Sequence, residues 1–178
     1  KQSHGRNNRA AGVKEIEIIV VDTASTDGSC DMLRADFPEV RLVENTANVG
    51  FSKANNQGVA MATGTHILIL NPDTLITEDT LRNVIQISEM KKDMGVLGVR
   101  FIDGSGRFLP ESKRTFPDLM AAGLKLLGIS GKYYARHIAE TETAAVDILS
   151  GAFMFIKKTV FDQIGGFDED FFMYGEDI

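Results

Sequence analysis

The pattern of apolar and polar positions predicts strands and helices that alternate along most of the chain. The first apolar run, at residues 15–21, ends in consecutive β-branched residues, which is typical of a strand covered on both faces. Later apolar runs alternate with segments whose apolar residues recur near the 3.6-residue helical period. This order indicates an α/β sheet with right-handed crossovers. The predicted strands are 15–21, 40–43, 65–70, 95–102 and 146–157, the predicted helices are 29–37, 52–62, 116–129, 159–164 and one starting at Thr77, and 103–108 resembles a hairpin.

Composition suits one compact domain and narrows its partners. The 178 residues are 43% hydrophobic and 25% charged, enough to bury a substantial core. The net charge of −6 argues against nucleic-acid binding, because contacts to the phosphate backbone need clustered Lys and Arg. Cys30 is the only cysteine, which excludes an intramolecular disulfide and favours a reducing compartment. We therefore expect a cytoplasmic protein.

Both ends of the sequence have the character of interior segments. The first 15 residues are polar and basic, without helical periodicity, and lead straight into an apolar strand. The last eight, FFMYGEDI, stop within an apolar and acidic pattern that has no cap or tail. We expect a single domain over residues 1–178 that is truncated at both ends.

Two aspartates directly follow predicted strands. Asp22 follows the first strand, and Asp73 follows the third in the tripeptide Asn71-Pro72-Asp73. Proline cannot donate to a sheet ladder and biases Asn71 towards extended geometry, so Pro72 should end the strand and direct Asp73 outward. Ligands of open parallel sheets bind beyond the carboxyl ends of strands, so both carboxylates should face one crevice. Asp73 is then a candidate ligand for Mg²⁺ or Mn²⁺, although the tripeptide is also simply a good turn.

Polar residues precede two of the predicted helices. Ser25 offers turn and N-cap chemistry before the helix at 29–37. Asn48 and Gly50 form a tight turn before the helix at 52–62, and two amides, Asn55 and Asn56, lie in its first turns. For this second group a ligand contact and a merely structural polar turn are equally good interpretations.

The C-terminal segment mixes acidic and aromatic residues. Most of the carboxylates there should be solvated. A carboxylate enclosed by aromatic side chains, however, can have its pKa raised and act as a general base. The acids are Asp168, Glu169, Asp170, Glu176 and Asp177, among Phe167, Phe171, Phe172, Met173 and Tyr174.

Taken together and in order, four stretches resemble family 2 glycosyltransferases, especially the bacterial rhamnosyltransferase-like branch that assembles cell-surface polysaccharides. They are VVDTASTDGS, NVGFSKANNQG, ILILNPDT and SGAFMFIKKTVFDQIGGFDEDFFMYGED. The resemblance implies a GT-A fold, a mainly parallel sheet flanked by helices, here lacking its first strand and C-terminal part. It also implies metal-dependent, inverting transfer of a sugar from a nucleotide-diphosphate donor to an acceptor hydroxyl, with Mg²⁺ or Mn²⁺ as the cofactor.

The resemblance also assigns roles to individual residues. Asp22 corresponds to the acid that recognises the base of the donor, and Asp73 to the last acid of the metal-binding DxD motif. Asn71 replaces the first acid of that motif, which leaves one strong ligand. Asp177 corresponds to the catalytic base, with Glu176 beside it. The other candidates for donor binding are Ser25, Asn48, Gly50, Asn55 and Asn71, and those on the acceptor side are Ser150, Gly151 and Ala152.

The implied partners are a nucleotide-sugar donor and a saccharide or lipid-linked saccharide acceptor. The helix at 116–129 could lie peripherally on the inner face of the cell membrane, although its apolar stripe also suits core packing. Two alternatives stay open. A nucleotidyltransferase should carry a Gly- and Lys/Arg-rich triphosphate loop near its start, and the sequence shows none; a non-catalytic sugar- or protein-binding module on the same fold is the other.

Overall fold

The computed structural model describes residues 16–77, 79–91, 93–115, 135 and 138–173. Among these, no helix combines the length and apolar character needed to cross a bilayer. The predicted helix at 116–129 lies outside the described residues. The elements in chain order are β1 (Ile19–Asp22), α1 (Ser29–Asp36), β2 (Arg41–Glu44), α2 (Phe51–Met61), β3 (His66–Leu70), α3 (Thr80–Met90), β4 (Val96–Leu97), a 3₁₀ turn (Pro110–Ser112), β5 (Phe153–Lys157) and α4 (Lys158–Ile164).

The first three strands and helices confirm the sequence-based predictions to within a few residues, but β4 and β5 are much shorter than predicted. The strand predicted at 95–102 keeps only two residues, and Ile102 instead forms an isolated antiparallel bridge with Phe108 across the predicted hairpin. The strand predicted at 146–157 begins at Phe153, because the chain turns at Ser150, whose carbonyl accepts from Phe153 N at 3.2 Å. Apolar pattern alone does not separate a strand from a buried turn.

The chain divides into two compact units. The first comprises Lys1–Ile67, Leu75–Gly95 and Ile156–Glu176, and the second Leu68–Thr74, Val96–Phe155 and Asp177–Ile178. The expectation of a single domain over the whole chain stays a prediction.

In the first unit, β1 and β2 pair in parallel, as predicted. The register runs from Ile19 opposite Arg41 to Asp22 opposite Glu44. Both strands therefore end at the same edge, and a carboxylate stands at each end. The buried apolar residues of this unit are Ala54, Val59, Ile67, Val84, Ile156 and Phe161.

A three-stranded sheet has the order β3-β5-β4. Lys158 N donates to Thr65 O at 2.9 Å, and Asn71 N donates to Ala152 O at 3.1 Å. These two bonds join opposite ends of β3 and β5, so the two strands are antiparallel. The residues that follow β3 consequently lie beside the residues that precede β5. The second unit buries Ile69, Ala135, Ile148, Phe153, Met154 and Phe155.

Candidate functional site

Asp22 organises the loop that follows β1. Its Oδ2 accepts hydrogen bonds from Ala24 N at 2.9 Å and from Ser25 N at 3.0 Å. Ala24 adopts a positive φ of 69°, which is uncommon for a residue with a side chain. The carboxylate offsets that conformation by accepting two backbone donors, as short acidic side chains do in tight turns. The aspartate predicted to read the donor base is thus also the residue that shapes its own loop.

The same contacts keep Asp22 ionised. The Ser25 hydroxyl and backbone N–H hold the pKa of Asp22 below its usual value, with smaller contributions from the Cys30 thiol and the Ala24 N–H. Burial, together with the neighbouring Asp22 carboxylate, raises the pKa of Cys30. At neutral pH the site therefore presents an anionic carboxylate beside a neutral thiol.

A pair of amides supports the strand end from behind. Asn45 Nδ2 donates to Asp22 O at 3.0 Å and to Gln57 Oε1 at 2.9 Å, and Gln57 Nε2 donates back to Asn45 Oδ1 at 3.0 Å. Helix α2 is thereby tied to the end of β1. Sequence reasoning missed Asn45 and Gln57, because their partners are 23 and 12 residues away and leave no local signal.

A pocket of about 350 Å³ opens beside Asp22. Arg34 is its only basic residue, and its guanidinium is already paired with Asp31 at 2.7 Å and with Glu44. The three carboxylates of the pocket outnumber this one cation, so a neutral group bearing N–H donors is favoured there over a phosphate. The lining residues are Asp22, Ala24, Ser25, Thr26, Gly28, Cys30, Asp31, Arg34, Glu44 and Asn45.

The polar residues at the start of α2 bond within their own segment. Asn48 Oδ1 accepts from Gly50 N at 3.0 Å, and Asn55 Nδ2 donates to Phe51 O at 2.9 Å. These contacts are what a polar turn before a helix needs. A donor-binding role for Asn48, Gly50 and Asn55 stays a prediction.

In the second unit, Asn71, Pro72 and Asp73 form a turn directly after β3. Thr74 N donates to Asn71 O at 3.0 Å, which places Pro72 at the second position of a β-turn, where its fixed φ fits. The strand ends at Leu70, as the proline predicted. Asp73 is exposed, and Asn71 is half-buried.

This turn lies beside the predicted acceptor segment. Asn71 N donates to Ala152 O, and Ser150 Oγ accepts from Ala152 N at 3.4 Å. Ser150, Gly151 and Ala152 are all half-buried. The structure thus brings Asn71 together with the three acceptor-side candidates, all within one compact unit.

The Asn71 to Asp73 turn has the chemistry of a partial metal site. In the described part of the chain, no hydrogen bond or ion pair engages the Asp73 carboxylate or the side-chain amide of Asn71. Nowhere among the described residues is there a cluster of three or more His, Cys, Asp or Glu side chains that could enclose an ion. Mg²⁺ commonly binds one or two carboxylates and completes its shell with water and substrate phosphates. One carboxylate and one amide oxygen fit that kind of site.

The described residues do not bring the four predicted site carboxylates together in one unit. Glu176 and Asp177 lie outside the described residues. Asp22 and Asp73 belong to different compact units. That these carboxylates share one crevice stays a prediction.

Comparison with known sequences identifies relatives of this chain. The family model described as glycosyl transferase family 2 matches residues 6–165. An N-acetylglucosaminyl-diphospho-decaprenol L-rhamnosyltransferase of Mycobacterium tuberculosis is 26% identical over 185 residues, covering 93% of this chain and 59% of its own length. The rhamnosyltransferase WbbL of Escherichia coli K12 is 32% identical over 137 residues, covering 72% of this chain and 52% of its own. The chain thus spans between half and three-fifths of these curated relatives.

A solved structure shows the same fold. The mannosyltransferase PcManGT from Pyrobaculum calidifontis, in complex with GDP-Man and Mn²⁺, is 26% identical with a TM-score of 0.58, covering 90% of this chain and 40% of that one. The GT-A fold expected from the sequence is confirmed by this similarity. Because the family model matches most of its length, the chain belongs to glycosyltransferase family 2.

Proposed function

We propose that the protein transfers a sugar from a nucleotide-diphosphate donor to an acceptor hydroxyl, with inversion at the anomeric carbon, in the assembly of a cell-surface polysaccharide. Family membership supports the reaction class. Two relatives are named as rhamnosyltransferases, and the name of one joins rhamnosyl transfer to a lipid-linked diphosphate saccharide. Their names favour a saccharide or lipid-linked saccharide acceptor for this protein as well.

The observation that most supports this function is the hydrogen bond of 3.1 Å between Asn71 N and Ala152 O. It joins the carboxylate-bearing turn, proposed for the donor diphosphate, to Ser150–Ala152, proposed for the acceptor side. In an inverting displacement the leaving diphosphate and the attacking hydroxyl act on opposite faces of one carbon atom. The groups that bind the diphosphate and the hydroxyl must therefore lie within about the length of one sugar of each other. Two segments joined by a hydrogen bond can meet that requirement.

The pocket beside Asp22 suits the base of the donor better than its phosphates. Its excess of carboxylates repels a diphosphate, whereas the ionised Asp22 can accept an N–H of a nucleobase. Ser25 and Asn71 are proposed to contribute donor contacts directly. Asn48, Gly50 and Asn55 would shape the turn at the start of α2.

The chemistry needs one base and one way to neutralise charge on the leaving group. Asp177, with Glu176 beside it, would take the proton of the acceptor hydroxyl as its oxygen bonds to the anomeric carbon and the bond to the diphosphate breaks. Asp73 and Asn71 would hold Mg²⁺ or Mn²⁺, and such an ion, when bound, supplies Lewis-acid stabilisation of the departing diphosphate. The choice between the two ions is open to test.

The setting of this reaction is part of the proposal. A cytoplasmic location fits the single cysteine, Cys30, because disulfides are rare in that reducing compartment. A peripheral contact with the inner face of the cell membrane would bring the protein to lipid-linked acceptors. The net charge of −6 argues against a nucleic-acid partner.

The test is donor binding and turnover across a panel of nucleotide sugars with Mn²⁺. We expect one donor class to raise the melting temperature, since a ligand that binds only the folded state stabilises it. We expect Asp22→Ala to weaken that donor about tenfold, the scale of one charge-assisted hydrogen bond (~1.4 kcal/mol). The matched control is Asp27→Ala, which removes another carboxylate from the same loop. The Asp27 carboxylate bonds to Ser29 and does not line the pocket.

Other outcomes would contradict the proposal in distinct ways. Pyrophosphate release from a nucleoside triphosphate would favour a nucleotidyltransferase. Donor binding without transfer to any acceptor and without donor hydrolysis would favour a binding module. Equal donor affinity in the Asp22 and Asp27 variants would remove Asp22 from base recognition.

A further inference from the structure

The chain after α4 is held on α2 by the side chain of Asn56. Asn56 Nδ2 donates to Phe167 O at 2.9 Å and to Glu169 Oε1 at 3.0 Å, and Asn56 Oδ1 accepts from Phe167 N at 3.0 Å. One amide thus pairs with both backbone groups of Phe167, as a neighbouring strand would. Three directed hydrogen bonds to two residues fix both the position and the direction of the chain at this point.

A second anchor lies five residues after Phe167, where Phe172 contacts the start of α2. Phe51 N donates to Phe172 O at 2.9 Å, so the carbonyl of Phe172 satisfies one of the backbone donors that a helix leaves unpaired at its N-terminus. Gly50 makes this approach feasible. A Cβ at Gly50 would lie 2.5 Å from Phe172 O, and its φ of 82° also disfavours any other residue.

Space and packing at the first anchor are equally specific. A Cβ at Gly166 would lie 2.7 Å from Asn56 Oδ1, so the glycine leaves room for the amide. The ring of Phe167 makes edge contacts with Phe51 and Phe161, each with ring centroids 5.6 Å apart. Such aromatic pairs add about 0.5–1.5 kcal/mol each beyond the area they bury.

The contacts explain why the segment NVGFSKANN carries two adjacent asparagines. Asn55 bonds to its own helix, whereas Asn56 bonds to a segment 111 residues away. That segment leads directly to Glu176 and Asp177 in the sequence. Asp177 lies four positions after Met173, a reach of at most roughly 14 Å for an extended chain. Anchoring at Phe167 and Phe172 therefore restricts where the chain towards Asp177 can start.

We propose that Asn56 is a positioning residue for sugar transfer, which holds the segment from which the catalytic base extends. This inference rests on the proposed function, since it takes the role of Asp177 from there. Without the anchor, the base would be correctly placed in fewer molecules. A displacement of a catalytic group by about 1 Å can lower the rate up to 100-fold. The donor pocket beside Asp22 uses none of these bonds, so donor affinity should be preserved.

The test is Asn56→Ala in the full chain, with Asn83→Ala as the matched control. Asn83 is an exposed amide on α3, so the same chemical change there should leave activity unaltered. We expect Asn56→Ala to lower kcat at least tenfold with KM for the donor changed less than twofold. Amide hydrogen exchange at Phe167 should accelerate in this variant alone, because its N–H loses the acceptor Asn56 Oδ1.

A milder variant covers the case in which Asn56→Ala does not fold. Glu169→Ala removes one of the three bonds and leaves both bonds to Phe167, so we expect kcat to fall about threefold at constant KM. The inference would be overturned if Asn56→Ala had the same kcat and the same exchange protection as the control. If Asn56→Ala does not fold, an unaltered kcat in Glu169→Ala would overturn it. A wild-type chain that transfers no sugar to any acceptor overturns the proposed function instead, and the exchange measurement then still reports whether Asn56 anchors the segment.

Discussion

Asp177→Asn should lower sugar transfer by about 100-fold or more while leaving donor binding intact. The amide keeps the size of the carboxylate but cannot take the proton of the acceptor hydroxyl, and a positioned general base is worth about 10²–10⁴ in rate. Turnover of the preferred donor and acceptor gives the rate. Titration of the donor by calorimetry gives the affinity, and the two together separate a lost base from a lost pocket.

The matched control for this experiment is Asp168→Asn, in the same acidic segment. Asp168 is exposed, and its Oδ1 accepts from Asp170 N at 3.0 Å, so its carboxylate serves a local turn. We expect its turnover to stay within about twofold of wild type, as for most surface changes. Comparable turnover in the two variants would remove Asp177 from the role of base.

Elements fixed by local chemistry could be predicted from the sequence. Helix α1 begins at Ser29 and β3 ends at Leu70, both as predicted. The proline accounts for the end of β3, whereas the predicted N-cap was wrong, because Gly28 precedes α1 without a side-chain cap bond. The parallel pairing of β1 and β2 followed from the order of strand, helix and strand. The resemblance of ordered motifs then supplied what periodicity does not, the GT-A fold itself.

Contacts between distant segments could not be predicted in this way. Asn56 has the same local environment in the sequence as Asn55, yet only Asn56 reaches Phe167. The two-residue length of β4 is a similar case, since its apolar run continues to Ile102 without forming a ladder. In both cases the decisive partner is set by tertiary packing, which leaves no mark within a window of neighbouring residues.

Under the proposed function, the charges of the described site residues favour a division of donor recognition into two tasks. Carboxylates dominate the pocket beside Asp22, and its arginine is already paired, so that pocket suits the base rather than the diphosphate. The turn at Asp73 likewise offers the diphosphate an anionic oxygen, which would repel it. A cation between the two anions would offset this repulsion. The charge of the Asn71 to Asp73 turn therefore favours the proposed dependence on Mg²⁺ or Mn²⁺.

Asp73→Ala should consequently abolish the metal-dependent part of donor binding. With Mn²⁺ present we expect the donor to bind roughly 100-fold more weakly than to wild type, since metal coordination of a phosphate is worth several kcal/mol. With the ion chelated, Asp73→Ala should bind the donor at least as tightly as wild type does, because the repulsion between the Asp73 carboxylate and the diphosphate is removed. Asn71→Asp restores a second acid and should strengthen the response to Mn²⁺, whereas Glu111→Ala, an exposed carboxylate of the same unit, should change nothing. Donor affinity that responds neither to Mn²⁺ nor to Asp73→Ala would mean that Asn71, Pro72 and Asp73 serve only as a turn, and the diphosphate would then have to be neutralised by other groups.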